Sequence, residues 1–269
     1  MATDVVCYER MHLNLKRLGL AEIDARIDSS VQEAASEDLS LVEFVDRLLE
    51  AEVCARQGRA AETRINLAHF PARKSIDSFD FAFQPSVDKK QIKDLLTLRF
   101  LAEGQNVVLL GPPGVGKTHL AIALGMAACQ AGHAVYFTTA HDLVQMLLTS
   151  SAIGRFSRKM KFLLHPSLLI IDEVGYLPLD REASNLLFQL ISRRYEQATA
   201  VILTSNRSYG EWGSMFADTV IASAVLDRLL HRSVTITIRG ESYRLKDRRR
   251  AGLLTTASRT APAPDQLKD

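Results

Sequence analysis

Five short apolar runs recur along the last two-thirds of the chain, and stretches with helical spacing separate them. The runs are Val107 to Leu110, Ala134 to Thr139, Leu168 to Ile171, Ala200 to Ser205 and Val234 to Ile238. Leu120 to Ala131, His141 to Ser150 and Ala183 to Gln197 read as helices between them. Apolar strands too short to be helices, alternating with amphipathic helices, predict a mostly parallel sheet covered on both faces. The first 70 residues contain no strand-like run. Ser40-Leu-Val-Glu43 fits a capping box, and Leu41, Phe44, Val45 and Leu48 follow at helical spacing, as Met11, Leu15 and Leu18 do earlier. The expected organisation is a helical domain over 1–70, an α/β domain over 71–254, and a Thr-, Ser-, Ala- and Pro-rich disordered tail over 255–269. The helical domain either presents an interaction face or packs only on itself; the pattern does not choose. Between the first two units, Phe79, Phe81 and Phe83 alternate. Their spacing predicts a β-like segment pinned onto the α/β domain, with the adenine side of a nucleotide pocket as the second reading.

Composition narrows the class. At 269 residues and 47% hydrophobic, the chain suits one medium α/β domain with a small appendage. No apolar run reaches the length of a membrane span, and no signal peptide is evident. Three scattered cysteines fit a reducing cytoplasm, without a disulfide framework or zinc site. The net charge of +2 conceals a gradient: residues 1–70 carry 8 basic and 13 acidic side chains, residues 151–269 carry 18 and 12. A polyanion, if bound, meets the C-terminal half.

The decisive chemistry lies at Asn106-Val-Val-Leu-Leu-Gly-Pro-Pro-Gly-Val-Gly-Lys-Thr118, where a strand enters a glycine-rich turn and a helix leaves it. This is the context a P-loop requires. Gly111, Pro112, Pro113, Gly114, Val115 and Gly116 form a turn whose N–H groups can face phosphate oxygens, with His119 in the first helical turn beyond. Lys117 suits the β- and γ-phosphates of ATP, and the Thr118 hydroxyl suits Mg²⁺. Leu168-Leu-Ile-Ile-Asp172-Glu173 places two carboxylates at the C-terminal edge of the sheet, where the P-loop opens. Asp172 fits the Mg²⁺ shell and Glu173 the base that polarises the attacking water. Asn206, at the tip of the Ala200 strand, can bond both the γ-phosphate and that water; the bland alternative is a strand-ending Asn in a turn. Arg228, in Asp227-Arg228-Leu229, is either an arginine finger for a neighbouring subunit or a surface partner of Asp227.

These motifs, in this order, resemble the AAA+ ATPases and, more narrowly, the IstB/DnaC-like group. The similarity rests on Phe79-Asp-Phe81, the P-loop, Leu169-Ile-Ile-Asp-Glu-Val-Gly-Tyr176, Leu203-Thr-Ser-Asn206 and Asp227-Arg-Leu229, and spans about residues 8 to 250. The N-terminal helices leading to Ala68-His-Phe-Pro71 make it most similar to the IstB-type transposition helper ATPases. The resemblance implies a P-loop AAA+ core with a five-stranded parallel sheet between helices. It also implies sensor and finger roles for Asn206 and Arg228, and a DNA-stimulated ATPase that forms homo-oligomers on duplex DNA. Such an oligomer would remodel the DNA with little sequence preference and direct the DDE-type transposase of its own element to it. The helical lid usual in AAA+ proteins has no clear counterpart after Arg228, and Arg244 is a candidate for its sensor arginine.

The same resemblance implies a helical insertion before the Asp-Glu strand, for which Ser150 to His165 is the candidate. It carries Arg155, Arg158, Lys159 and Lys161 with no acid among them. A second basic run includes Arg248, Arg249 and Arg250. Both fit phosphate contact and neither has the form of a base-reading motif; a solvated basic face is the alternative. Two other functions compete: a loader of a replicative helicase, and a P-loop kinase for a small molecule. The two basic clusters and Arg228 speak against the kinase.

Overall fold

The computed structural model describes residues 2–176 and 178–246. Arg248, Arg249, Arg250 and the expected 255–269 tail lie outside the described residues. The chain opens with α1 (Ala2–Leu18), α2 (Ala21–Ser36) and α3 (Leu41–Leu67), then α4 (Lys89–Leu96) and α5 (Arg99–Ala102). The sheet-forming part runs β1 (Asn106–Leu110), α6 (Lys117–Gln130), β2 (Val135–Thr139), α7 (Ala140–Ala152), α8 (Phe156–Leu164), β3 (Leu168–Val174), α9 (Arg181–Glu196), β4 (Ala200–Ser205), α10 (Tyr209–Trp212), α11 (Thr219–Leu230) and β5 (Ser233–Thr237).

All five strands are parallel, in the order β2-β3-β4-β1-β5. β1, β3 and β4 are buried nearly throughout, as expected for parallel strands with helices on both faces. One apolar layer joins Val107, Leu109, Ile170 and Ile202 to α6, through Leu120 and Leu124. The opposite layer joins Val108, Leu169, Val201 and Leu203 to α7, α9 and α11, through Leu143, Leu190 and Val225. The alternation of odd and even strand positions between two layers is the period-2 geometry of the strand.

The capping box at Ser40 and Glu43 starts α3 as the sequence indicates. Leu20, before α2, offers no side-chain cap. The buried Glu52 of α3 supplies one instead, accepting from the backbone N–H of Glu22 (2.8 Å) and Ile23 (3.2 Å) while bonding Arg56 Nε at 2.8 Å. A carboxylate at a helix N-terminus satisfies free N–H groups and suits the local dipole. The far end of α3 reaches the sheet: Ile65 and Ala68 join the α6 layer, and the Ala68 carbonyl accepts from Phe137 N–H at 2.8 Å.

The linker differs from the β-like segment expected. Residues 76–83 form a 3₁₀ turn followed by further tight turns, because Asp80 Oδ1 accepts from Phe83 N–H at 2.9 Å and closes the chain on itself. Phe79 consequently turns inward, 8% exposed, against the P-loop, and Phe83 meets Tyr243 edge-on at 5.2 Å. After β5 the described chain forms no helical lid. Residues 239–246 fold back as a strap over the P-loop, where Tyr243 N–H donates to the Gly114 carbonyl at 2.9 Å.

Candidate nucleotide site

β1 delivers the chain to the C-terminal edge of the sheet, where Gly111 to Gly116 turn it into α6. Gly116, the N-cap of α6, has φ +102°, and a Cβ there would meet Phe79 Cε2 at 2.6 Å. Glycine is required both for the left-handed backbone and for the close approach of the phenyl ring. Lys117 Nζ donates to the carbonyls of Gly111 (2.7 Å) and Pro112 (2.8 Å), and the side chain is buried. Burial pulls its pKa below the usual lysine range, opposed by Asp172 and assisted by Arg244. An ammonium held over its own loop by two neutral acceptors is ready to exchange them for phosphate oxygens, which are stronger partners.

A cavity of about 290 Å³ opens beside this loop. Gly114 to His119 form one wall, and the linker and strap form the other, through Phe79, Gln84, Tyr243 and Arg244. The strap thus brings Arg244 to the P-loop, close enough to act on the charge of Lys117. His119 Nε2 is 2.9 Å from the Ser75 carbonyl and its ring stands edge-on to Phe79, so it joins the loop to the linker.

Asp172 is buried, and Thr118 Oγ1 donates to its carboxylate at 3.0 Å. A hydroxyl and a carboxylate meeting at the loop fit Mg²⁺, which takes one or two protein oxygens beside water and phosphate. Thr204 of β4 also donates to Asp172, and its Oγ1 accepts from Glu173 N–H at 2.9 Å. Thr204 belongs to the Leu203-Thr-Ser-Asn206 motif, but nothing in that motif points to a partnership with the two acids. Only the β3–β4 register brings it to the two acids.

Glu173 parts from Asp172. It adopts φ +61°, where the register of β3 against β4 slips between Ile171 and Val174, and its side chain is exposed. A left-handed non-glycine residue costs on the order of 1–3 kcal/mol, and such strain gathers at functional sites. Asn206 follows β4, and its Oδ1 is buried without a hydrogen-bond partner among the described residues. A buried acceptor with no donor fits a residue that waits for water or ligand.

Arg228 sits elsewhere. Leu229, its neighbour, gives its carbonyl to Asn106 Nδ2 at 2.9 Å, which ties the end of α11 to the N-terminal end of β1. The length of β1, about 13 Å at 3.3 Å per residue, separates that end from the P-loop. Arg228 donates to the Ala224 carbonyl at 3.0 Å and stacks over the Phe188 ring at 4.8 Å, rather than pairing with Asp227.

Arg155 at the N-cap of α8, with Arg158 and Lys159 on that helix, lines one open groove with Asp142 and Phe162, and Lys159 Nζ stands 4.9 Å over the Phe162 ring. Lys161 is exposed on a neighbouring face and does not line that groove. Arg194 anchors this helix. It is 1% exposed and donates to the carbonyls of Leu163, Pro166 and Ala200, and burial brings its pKa down to about 10. Five donors on one planar group let a single residue fasten the end of α8 to the start of β4.

Comparison with known proteins agrees with this geometry. A relative from Geobacillus stearothermophilus, named as an ATP-binding protein of insertion sequence IS5376, is 48% identical over 90% of this chain and 96% of its own. One from Pseudomonas aeruginosa, named for insertion sequence IS21, is 45% identical over 93% and 94%. The crystal structure of the DnaC helicase loader matches with TM-score 0.51 and 25% identity, covering 61% of this chain and 96% of that one. AMPPCP-bound DnaA from Aquifex aeolicus shares the fold, with TM-score 0.53 at 18% identity over 71% and 59%. The family described as IstB-like ATP binding protein matches residues 13–251, and the chain belongs to that family.

Proposed function

We propose that this protein is an AAA+ ATPase that assembles with ATP on duplex DNA, remodels it without strong sequence preference, and directs the DDE-type transposase of its own insertion sequence to that target. The observation that carries this reading is the division of the molecule: the P-loop lies at one end of β1 and Arg228 at the other. An arginine so far from its own nucleotide cannot serve it, but can serve that of the next copy in a head-to-tail oligomer. Lys117 holds the β- and γ-phosphates, Thr118 and Asp172 hold Mg²⁺, and Glu173 takes the proton of the attacking water. Asn206 orients that water and the neighbour's Arg228 stabilises the charge of the transferred group. Bound Mg²⁺ supplies neutralisation of phosphate charge. The relatives' names, which attach them to insertion sequences, support transposition over helicase loading. The DnaC likeness is weaker in identity and in coverage of this chain.

Lys117→Ala is the first test. Loss of a charge-assisted contact to phosphate lowers ATP affinity about 10- to 100-fold. ATP-dependent assembly on duplex DNA, followed by sedimentation, is then lost with it. DNA assembly by this variant equal to wild type in the presence of ATP refutes the coupling of nucleotide to DNA.

The groove on α8 is the proposed duplex contact, with Arg155, Arg158 and Lys159 on the backbone and Lys161 beside them. Phosphate contacts release counterions, so log affinity falls with log salt at a slope near −0.9 per phosphate neutralised. Replacing Arg158 and Lys159 together by Ala flattens that slope by about 1 to 2 units, equally for unrelated duplexes. ATPase activity without DNA is retained, since neither residue touches the nucleotide cavity. An unchanged slope moves the DNA surface away from α8.

A further inference from the structure

The cavity beside the P-loop has one feature that phosphate binding leaves unexplained. Gln84 lines it and is 2% exposed. Its Nε2 donates to the Glu241 carbonyl at 2.8 Å, which fixes the orientation of the amide. Its Oε1 then has no donor among the described residues. A buried amide carbonyl left unpaired is destabilising, whereas an apolar side chain of similar size would fill the same space without that cost. Room for this oxygen is kept by Gly240, where a Cβ would lie 2.6 Å from Oε1. The position is also held firmly. Lys246 Nζ bonds Asp80 at 2.6 Å, and Ser86 Oγ both donates to the Arg239 carbonyl (2.7 Å) and accepts from Arg239 N–H (2.8 Å). Linker and strap therefore form one unit, joined to the P-loop through Tyr243 and Gly114.

We propose that Gln84 reads the nucleobase: its Oε1 is the acceptor for the exocyclic amine of adenine. This rests on the reading of the cavity as the ATP site. The phosphates take the wall built from N–H groups and Lys117, so the base falls to the wall built by the linker and strap. Adenine offers a donor at C6, which a carbonyl oxygen can accept. Hypoxanthine and guanine carry a carbonyl there, and two acceptors facing one another leave both unpaired. A site that hydrogen-bonds a substrate N–H rejects the analogue lacking it more strongly than an apolar pocket rejects a change in size.

The test is equilibrium binding, with Mg²⁺, of ATP, inosine triphosphate and the triphosphate of unsubstituted purine riboside. Wild-type protein is expected to hold ATP about tenfold or more tighter than either analogue. Gln84→Leu is expected to lower ATP affinity to the level of inosine triphosphate, while affinity for inosine triphosphate stays within about twofold. Equal binding of the three nucleotides by wild type overturns the proposal, and that comparison stands even if the variant does not fold. An equal loss for all three nucleotides in Gln84→Leu also overturns it, because Gln84 then only braces the strap. If Lys117→Ala leaves binding of every nucleotide unchanged, the nucleotide-site reading itself fails, an outcome distinct from lost base selectivity with intact dependence on Lys117.

Discussion

Glu173→Gln is expected to lower ATP hydrolysis by about 10²- to 10⁴-fold, the range lost when a positioned general base is removed. The amide keeps the size and polarity of the carboxylate but cannot take the proton of the attacking water. Binding is expected to survive, because the groups proposed to hold nucleotide are different ones: Lys117 on the loop, and the Thr118 and Asp172 pair behind it. The backbone supports this separation. Glu173 is displaced from the row of buried β3 residues by the register slip and stands exposed at φ +61°, while Asp172 stays buried against Thr118. Thr204 holds both, donating to the Asp172 carboxylate and accepting from the Glu173 N–H. Since the side chain of Glu173 makes no hydrogen bond or ion pair among the described residues, and acts on Lys117 only through its charge, the variant should fold and trap the ATP-bound oligomer on DNA. Single-turnover hydrolysis, measured alongside nucleotide binding, separates the two effects. Normal turnover by Glu173→Gln removes the residue from the mechanism.

What could be read from sequence was the part written in short, contiguous patterns. Asn106 to Thr118 encodes strand, loop and helix within 13 residues, and the five apolar runs fall on the five strands to within a residue or so at most boundaries. Leu168 to Ile171 was too short by three residues, because the acids Asp172 and Glu173 look like a strand's end although β3 continues to Val174. The Phe79 linker departs from its strand-like pattern for a similar reason. Alternating aromatics satisfy a strand's period, while the side chain of Asp80 closes a turn that the period does not register. The remaining omissions come from distance in the chain. Thr204 meets Asp172 across 32 residues, Arg194 meets Leu163 across 31, and Gln84 meets Glu241 across 157. None of these three contacts is signalled locally, even for Thr204 inside the Leu203-Thr-Ser-Asn206 motif, and each forms only when strands pair or the strap closes.

Arg228→Ala is expected to reduce hydrolysis by up to about 10³- to 10⁵-fold, the contribution of arginine fingers in GTPases, while nucleotide affinity of a monomer hardly changes. The asymmetry follows from position. Within one copy the end of α11 is bonded to the N-terminal end of β1, so Arg228 contributes nothing to the loop at the other end. It can contribute to a neighbour if its guanidinium is held in a fixed pose, and the Phe188 ring and the Ala224 carbonyl fix that pose. Lysine at this position is expected to restore little, since an ammonium lacks the planar fork that both stacks on the ring and grips two phosphate oxygens. The check is a mixture. Lys117→Ala protein has intact fingers and crippled loops; Arg228→Ala protein has intact loops and no fingers. In mixed oligomers some interfaces pair a good loop with a good finger, so activity should rise above that of either variant alone and pass through a maximum as the ratio changes. No rescue at any ratio, with mixed oligomers verified by cross-linking of differently tagged chains, would falsify action in trans.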